Sequence, residues 1–366
     1  MTIPIVYFRS SSFNCHRFCP MQFYSEYTLG LRGLSNKKAD KGSIVHKVLE
    51  IVALAKKAYQ DGELMIMDDD IGEVETSNYD PEYLGNICAR VYQDYIKGVS
   101  HHSWTERDFK DCVNWTWKTL KYNEGMFDPR NLNVVDAEPH FDFELPYDWA
   151  EYNYPEQGLK GQLALKGTID LISDLGDGVY EIVDWKTGKR LDWATGKTKD
   201  QHKLFSDPQL RLYHYAAKQM YPHVHTFLVT IYFINDGGAF TVHFQDSDLE
   251  KTEDMIQRRF EAIRNTEKPK TIRQIDIKQS WKCSKLCHAG KTTFEEDDHV
   301  AALIEERPGK LTKYKQVMTK CEQLRYMIDK MGIDWVTENY AHPDHTHGSY
   351  GEGGGKVHDD SHKGEN

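Results

Sequence analysis

The chain has 366 residues, a net charge of −11 and seven cysteines. This length accommodates one large or two modest domains, and no apolar run reaches the roughly 18–20 residues that span a bilayer. Because the N-terminus also has no apolar segment of signal-peptide length, we expect a cytoplasmic protein without membrane contact and with free or metal-bound cysteines.

The negative charge is concentrated in two segments. Residues 61–82 hold nine acidic and no basic residues, and residues 341–366 hold five acidic and two basic ones. The remainder is close to neutral, and residues 186–203 carry six Lys or Arg against two Asp. A nucleic-acid partner is therefore not excluded, because the distribution of charge matters more than its total.

Helices are predicted in the first third of the chain and strands after it. The first segments are a helix after Pro20, a long helix from Ile44 to about Tyr59 capped by Ser43, an acidic surface loop over 61–82, two helices within 82–127, and strands from Val134 onward. The later segments are a hairpin over 166–187, a helix from Pro208 to about Met220 capped by Asp207, a hairpin of Phe227–Ile234 with Ala239–Phe244, a helix capped by Ser247, and a helix over Leu303–Met331. This order predicts an α/β fold in which helices flank a mixed central β-sheet.

The hairpin over 166–187 carries the most chemical information. Asp170 lies on its first strand, and Asp184 and Lys186 lie on its second strand. Side chains two residues apart share one face of a strand, so Asp184 and Lys186 point the same way and Trp185 points oppositely. Two carboxylates beside an ammonium group suit a divalent cation and an attacking water. A solvated ion pair is the alternative, although the apolar neighbours of Asp184 would bury its charge, which is costly.

Five weak motifs occur in a distinctive order. They are GSIVHKVLE, AEPHFDFEL, KGTIDLI, EIVDWKTG and DPQLRLYHYA. In this order, over about residues 10–290, they resemble the RecB-type branch of the PD-(D/E)xK nuclease superfamily. That branch includes the nuclease domains of helicase–nucleases and the CRISPR-associated iron–sulfur exonucleases. The resemblance implies a restriction-endonuclease-like nuclease domain over 1–300, with the acidic loop 61–82 inserted. A C-terminal helical extension over 301–340 and a disordered His/Gly-rich tail over 341–366 are expected to follow.

The resemblance also implies a role for each matched residue. The ligands of a Mg²⁺ or Mn²⁺ ion would be His46, Asp170, Asp184 and the backbone carbonyl of Trp185. Lys186 would orient or activate the attacking water, and Gln209 with Tyr213 would hold the DNA strand and the geometry of the site. Glu138 is a weaker candidate for an indirect role.

The implied function is metal-dependent cleavage of DNA, by an exonuclease that acts on single strands or duplex ends. The cell would be bacterial or phage-infected, and the partner proteins would belong to recombination or replication. Nearby aromatic residues either stack on unpaired bases or belong to the core; these are Trp185, Trp193, Tyr213 and Tyr215. The alternatives are an inactive DNA-end-binding module and a structural metalloprotein.

The cysteines suggest a second metal centre. Cys15 with Cys19 and Cys283 with Cys287 form two pairs, which could join the two ends of the domain through zinc or an iron–sulfur cluster, or be buried thiols. In the resembling exonucleases, one N-terminal Cys followed by Pro, as in Cys19-Pro20, joins three C-terminal cysteines around a 4Fe–4S cluster. A third C-terminal cysteine is missing here, because Cys321 is distant in sequence. The possible substitutes are Cys15, His16 and His288.

Two further groups are predicted to have no metal role. Cys88 and Cys112 lie on predicted helices and are expected to be packing residues. His101 and His102 have no carboxylate at metal-ligand spacing in the sequence, so we expect them to be surface residues.

Overall fold

The computed structural model describes residues 3–78, 80–155, 158–192, 197–294 and 319–342. Trp193, residues 303–318 of the predicted C-terminal helix and residues 343–366 of the predicted tail lie outside the described residues. Within the described ranges, no helix combines the length and the apolar character that a bilayer crossing requires.

The strands fall into two sheets and two separate hairpins. They are β1 (Tyr7–Phe8), β2 (Met65–Asp68), β3 (Gly72–Glu75), β4 (Val134–Ala137), β5 (His140–Glu144), β6 (Glu151–Tyr154), β7 (Leu159–Gln162), β8 (Ala164–Thr168), β9 (Leu171–Asp174), β10 (Val179–Lys186), β11 (Thr226–Phe233) and β12 (Gly238–Phe244). A five-stranded sheet has the order β12-β11-β10-β9-β4, and a three-stranded sheet has the order β1-β8-β5. Since β10 pairs with β11 in parallel and with β9 antiparallel, the larger sheet is mixed, as predicted.

Helices cover both faces of the larger sheet. They are α1 (Ser10–Phe18), α2 (Pro20–Phe23), α3 (Lys37–Gln60), α4 (Pro81–Lys97), α5 (Glu106–Leu120), α6 (Gln201–Phe205), α7 (Pro208–Met220), α8 (Leu249–Arg264), α9 (Ile272–Ile275), α10 (Trp281–Lys285), α11 (Lys320–Met331) and α12 (Ile333–Tyr340). On β10, Val183 and Trp185 pack in one core with residues of α3, α4 and α5, whereas Ile182 packs in the other core with residues of α7 and α8. This alternation follows from the two-residue period of a strand.

Helix α3 begins earlier than predicted. Its N-cap is Asn36, whose side chain accepts a hydrogen bond from Ala39 N at 3.1 Å, and Ser43 lies within the helix. Lys37 contributes to the extra turn, because its Nζ is 3.0 Å from Asp108 Oδ2 on α5. The added residues 37–43 are thus capped locally by Asn36 and also contact α5, a segment far away in the sequence.

Three other boundaries also differ from prediction. The acidic segment 61–82 is not a loop, since it contains the β2–β3 hairpin and the start of α4, and Lys47 of α3 binds Asp68 of β2 at 2.9 Å. Helix α1 precedes Pro20 and is additional to the predicted helix after it, which is α2, and α8 begins after a 3₁₀ turn in which Gln245 and Asp248 cap each other, rather than at Ser247. By contrast, α7 begins at Pro208 with Asp207 as its N-cap, as predicted.

Candidate active site

Two carboxylates lie where neighbouring strands pass from one sheet to the other. Glu138 lies between β4 and β5, and Asp170 lies between β8 and β9. The backbone N–H of Glu138 donates to the carbonyl of Asp170 at 3.1 Å, and Glu138 has a φ of 51°, in the left-handed region that non-glycine residues rarely adopt. The junction of the two sheets thus places both side chains together at the cost of local backbone strain.

An imidazole from α3 completes a compact set of ligand atoms. One ligand atom each from His46, Glu138 and Asp170 lie within 4.8 Å of one another. His46 Nδ1 is 3.4 Å from Asp170 Oδ2, and the backbone N–H of Trp185 donates to the same oxygen at 2.7 Å. Glu138 thus lies in one group of potential ligand atoms with His46 and Asp170, which its indirect role in the sequence-based prediction did not anticipate.

Asp184 is fully buried beside this set, and its two oxygens have different surroundings. Its Oδ1 accepts hydrogen bonds from Lys186 Nζ at 2.8 Å, Gln209 Nε2 at 2.9 Å and Tyr213 Oη at 3.2 Å. Its Oδ2 has no hydrogen-bond donor within the described ranges. A buried carboxylate oxygen without a donor is unfavourable, so this oxygen is suited to a cation.

Gln209 and Tyr213 reach Asp184 from the first two turns of α7. Residues four apart lie on one face of a helix, and Gln209 Nε2 also donates to Tyr213 Oη at 2.9 Å. The cap formed by Asp207, which accepts from Gln209 N at 3.0 Å, fixes the start of the helix. The two predicted residues therefore contact the buried carboxylate directly.

A family model described as the PD-(D/E)XK nuclease superfamily matches residues 10–299. The chain belongs to this superfamily. A crystal structure described as a "Putative exonuclease" from Eubacterium rectale is 12% identical, with a TM-score of 0.41, and the match covers 83% of this chain and 93% of that chain. A comparison with curated protein sequences finds no match.

Burial and mutual repulsion make two carboxyl groups of this superfamily member, Glu138 and Asp184, harder to ionise. For Asp170, by contrast, the charge and hydrogen bond of His46 with the charge of Lys186 outweigh burial and lower the pKa. Burial raises the pKa of Glu138 to about 9, and the negative charges of Asp170 and Glu50 add to the rise. Burial also raises the pKa of Asp184 to about 6, against the lowering effect of Lys186. Without a cation the site thus holds more carboxylate groups than it can ionise at neutral pH.

The pKa values of the two basic groups of the site, His46 and Lys186, are raised. Burial lowers the pKa of His46, but the charge and hydrogen bond of Asp170 together with the charge of Asp184 outweigh it, so the pKa of the imidazole is raised. The charges of Asp184 and Asp170 likewise outweigh burial and raise the pKa of Lys186. A lysine that stays protonated donates hydrogen bonds, so this geometry favours orientation of a water by Lys186 over removal of its proton.

The described aromatic residues near the site belong to the core. Trp185, Tyr213 and Tyr215 are buried, with 0%, 5% and 2% of their surface exposed. Of the two alternatives given for these three rings, their burial supports packing in the core rather than stacking on DNA bases. Trp185 packs edge-on against His46, with 6.3 Å between ring centroids, and so supports the position of a residue that is predicted to bind the metal.

Four cysteines line one small cavity near the N-terminal helices. Cys19, Cys283 and Cys287 were expected there, and the fourth is Cys321, which α11 brings from a distant part of the chain. The backbone N–H of Cys321 donates to the carbonyl of Ala289 at 2.8 Å. No spacing rule in the sequence connects Cys321 with the other three, so only the packing of α11 places it there.

Cys15 has a different position from the other predicted cysteines. It does not line the cavity, although its thiol is close enough to Cys19 and Cys287 for their charges to affect it. Burial raises the pKa of Cys15, and it raises the pKa of Cys287 to about 11. Cys88 and Cys112 are buried in the core around α3, in agreement with a packing role.

Proposed function

We propose that this chain is a Mg²⁺- or Mn²⁺-dependent DNA nuclease of the RecB-type branch, which acts as an exonuclease on single strands or duplex ends. The observation that carries the proposal is the state of Asp184. Three donors hold its Oδ1, while its buried Oδ2 has no donor within the described ranges, and the carboxyl group is close enough to Asp170 and His46 for their charges to shift its pKa. Membership of the nuclease superfamily supports the same interpretation.

The residues that would hold the cation are His46, Glu138, Asp170 and Asp184, with the backbone carbonyl of Trp185 as a further predicted ligand. Carboxylate oxygens suit Mg²⁺, and an added imidazole nitrogen suits Mn²⁺ as well. When bound, such an ion polarises the phosphate and lowers the pKa of its water. This proposal promotes Glu138 from an indirect role to a ligand.

The other residues of the site would position the reacting groups. Lys186 donates to Asp184, and because one third of its side chain is exposed, it can also donate to a water or to a phosphate oxygen. Gln209 and Tyr213 hold the orientation of Asp184, which in turn fixes the direction of its free oxygen. These three residues supply the preorganised geometry that phosphoryl chemistry requires.

DNA would reach the site past the basic segment that follows β10. Within it, Lys189 and Lys197 are exposed, and cations of this kind bind the phosphate backbone without sequence preference. Such a nuclease would meet its DNA in the cytoplasm of a bacterial or phage-infected cell. Recombination or replication proteins are the partners that a DNA-end-processing activity would serve.

Digestion of 5′- and 3′-labelled single- and double-stranded DNA tests the proposal. With Mn²⁺ or Mg²⁺ we expect labelled mononucleotides or short products from ends, and with EDTA no cleavage. Binding of DNA ends without cleavage in either metal would instead indicate an inactive end-binding module. If the protein neither binds nor cleaves DNA, the remaining interpretation is a structural metalloprotein.

We also propose that Cys19, Cys283, Cys287 and Cys321 hold a 4Fe–4S cluster. Four thiols around one cavity match the ligand set of such a cluster. Cys321→Ser should remove the iron and the broad visible absorbance of anaerobically purified protein, whereas Cys15→Ser and Cys112→Ser should keep both. Colourless, iron-free wild-type protein would contradict the cluster, and retention of iron in Cys321→Ser would contradict this ligand set.

A further inference from the structure

A second group of metal-ligating side chains lies at the N-terminal end of α3. Asp40 is in the first turn of this helix, and His101 and His102 are in the connection between α4 and α5. One ligand atom from each residue lies within 4.8 Å of the others. The prediction that the two histidines lack a carboxylate partner is therefore wrong, because Asp40 supplies one from a distant part of the sequence.

Both imidazoles approach the same carboxylate oxygen. Asp40 Oδ2 is 2.8 Å from His102 Nε2 and 3.9 Å from His101 Nε2, and the two rings are 4.1 Å apart between centroids. Only 3% of the Asp40 side chain is exposed. The Nε2 atoms of two consecutive histidines therefore converge on one carboxylate oxygen, and binding of a common cation would account for this arrangement.

The buried oxygen has no satisfactory hydrogen-bond donor within the described part of the chain. Although His102 Nε2 is close to Asp40 Oδ2, neither atom makes an aligned hydrogen bond with a described residue. The nearby lysines do not neutralise Asp40, since Lys37 and Lys41 form ion pairs with Asp108 of α5. Among the residues that the structure describes, no Lys or Arg forms an ion pair with Asp40, so a bound cation would meet no competing lysine or arginine at Oδ2.

Neighbouring groups hold the carboxylate and shield one side of the cluster. Tyr95 Oη donates to Asp40 Oδ1 at 3.1 Å, which leaves Oδ2 facing the histidines. Trp104 packs edge-on against His102, with 5.7 Å between ring centroids. A hydrogen bond that orients a ligating carboxylate and an apolar wall are features of protein metal sites.

We propose that Asp40, His101 and His102 bind a Zn²⁺ ion. Two imidazole nitrogens and one carboxylate oxygen form a ligand set that Zn²⁺ favours, with a fourth position for water. Without a bound ion, His101 Nε2 could instead carry a proton and donate a hydrogen bond to the carbonyl of Ser35, which is 3.2 Å away. A bound ion would join the start of α3 to the α4–α5 connection, six residues before His46 on the same helix.

Counting of tight Zn²⁺ sites by competition with a chromophoric chelator tests this inference. We expect His101→Gln/His102→Gln to bind one Zn²⁺ fewer per chain than the wild type. The control His223→Gln/His225→Gln, which changes two exposed histidines elsewhere, should lose none. Equal Zn²⁺ counts in all three proteins would overturn the proposal, whether or not the chain proves to be a nuclease.

A second measurement keeps the test valid if the double variant does not fold. In the full chain loaded with Co²⁺, the site should give weak visible bands without the charge-transfer absorbance of thiolate ligands. Asp40→Asn, which keeps the shape of the side chain, should remove these bands and the rise of a few degrees in thermal midpoint that Zn²⁺ gives the wild type. Bands and midpoint shift that survive in Asp40→Asn would contradict the site.

Discussion

Two lysine–aspartate pairs of nearly equal length lie in the two sheets and differ in burial. Lys186 Nζ is 2.8 Å from Asp184 Oδ1, and Lys166 Nζ is 2.7 Å from Asp142 Oδ2. The Asp142 side chain is 59% exposed, whereas the Asp184 side chain is 0% exposed. An exposed pair contributes about 0–1 kcal/mol to stability. The length of an ion pair therefore does not tell a functional pair from a surface pair. The buried pair differs because Asp184 has a second oxygen without a donor in the described residues and lies near other potential metal ligands.

Removal of the buried carboxylate should break the comparison most strongly. Asp184→Asn eliminates a charge that a cation requires, so we expect cleavage in Mn²⁺ to fall by about 10³-fold or more. Asp142→Asn, the matched change in the exposed pair, should stay within about twofold of the wild type. Initial rates of nucleotide release from end-labelled DNA measure both. Equal rates in the two variants would show that burial of the pair has no catalytic meaning.

Removal of the lysine should have the next largest effect. Lys186→Ala leaves the predicted metal ligands in place but removes the donor that orients the water, so we expect the rate to fall about 10²–10³-fold. DNA affinity, measured by fluorescence anisotropy, should be nearly unchanged. Lys166→Ala is the control and should cut at the wild-type rate. Normal cleavage by Lys186→Ala would remove this lysine from the mechanism.

Loss of the charge on Glu138 should weaken metal binding. We expect Glu138→Gln to bind Mn²⁺ about 10–100-fold more weakly, because one of the carboxylates around the ion becomes neutral. Glu144→Gln, an exposed change on the next strand, is the control. Calorimetric titration with Mn²⁺ compares the two. Wild-type affinity in Glu138→Gln would return this residue to an indirect role.

Removal of the Tyr213 hydroxyl, which contacts Asp184 of the buried pair, should lower the cleavage rate less than the changes above. Tyr213→Phe removes one of three donors to Asp184 Oδ1, and the other two remain. We expect a decrease in cleavage rate of about tenfold or less at saturating metal. A rate loss as large as that of Lys186→Ala would mean that Tyr213 contacts the reacting groups instead.

The smallest expected effect is on the pH dependence of the free energy of unfolding. The pKa of Glu138 rises from 4.5 to about 9 on folding, so between these values the folded state binds more protons than the unfolded state. Stability without metal should therefore fall as pH rises through this range, and Mn²⁺ should oppose the fall. Urea unfolding at several pH values in EDTA and in Mn²⁺ measures this. If the stability of Glu138→Gln falls with pH as steeply as that of the wild type, Glu138 is not the group responsible.

Helices and strands whose ends are set by neighbouring residues could be predicted from the sequence. The Asp207-Pro208 cap gives the start of α7. Of the hairpin predicted over 166–187, the part from Leu171 to Lys186 is found as β9 and β10, but residues 166–168 belong to β8 in the other sheet and Asp170 lies between strands rather than on one. The mixed sheet with helices on both faces also followed from the order of these elements. Residues 61–82 were wrongly predicted to be a loop: β2 and β3 pair with each other, Asp68 accepts two backbone hydrogen bonds in their turn, and Lys47 of α3 adds an ion pair to Asp68.

The rest of the candidate sites depends on contacts between distant segments. Glu138 and Asp170 meet because two strands change sheets at the same level, which no periodicity in the sequence indicates. Cys321 reaches the cysteine cavity through the packing of α11, and Asp40 reaches His102 through the packing of α3. Motif order placed His46, Asp184 and Lys186 in one site, but the exact ligand partners required the three-dimensional arrangement.

The most direct test is the position of Mn²⁺ in crystals, located by its anomalous scattering. We predict a peak bounded by His46, Glu138, Asp170 and the Oδ2 atom of Asp184, and its loss in crystals of Asp184→Asn. Protein that cleaves DNA with Mn²⁺ in solution, yet shows no peak among these four side chains, would contradict the central claim.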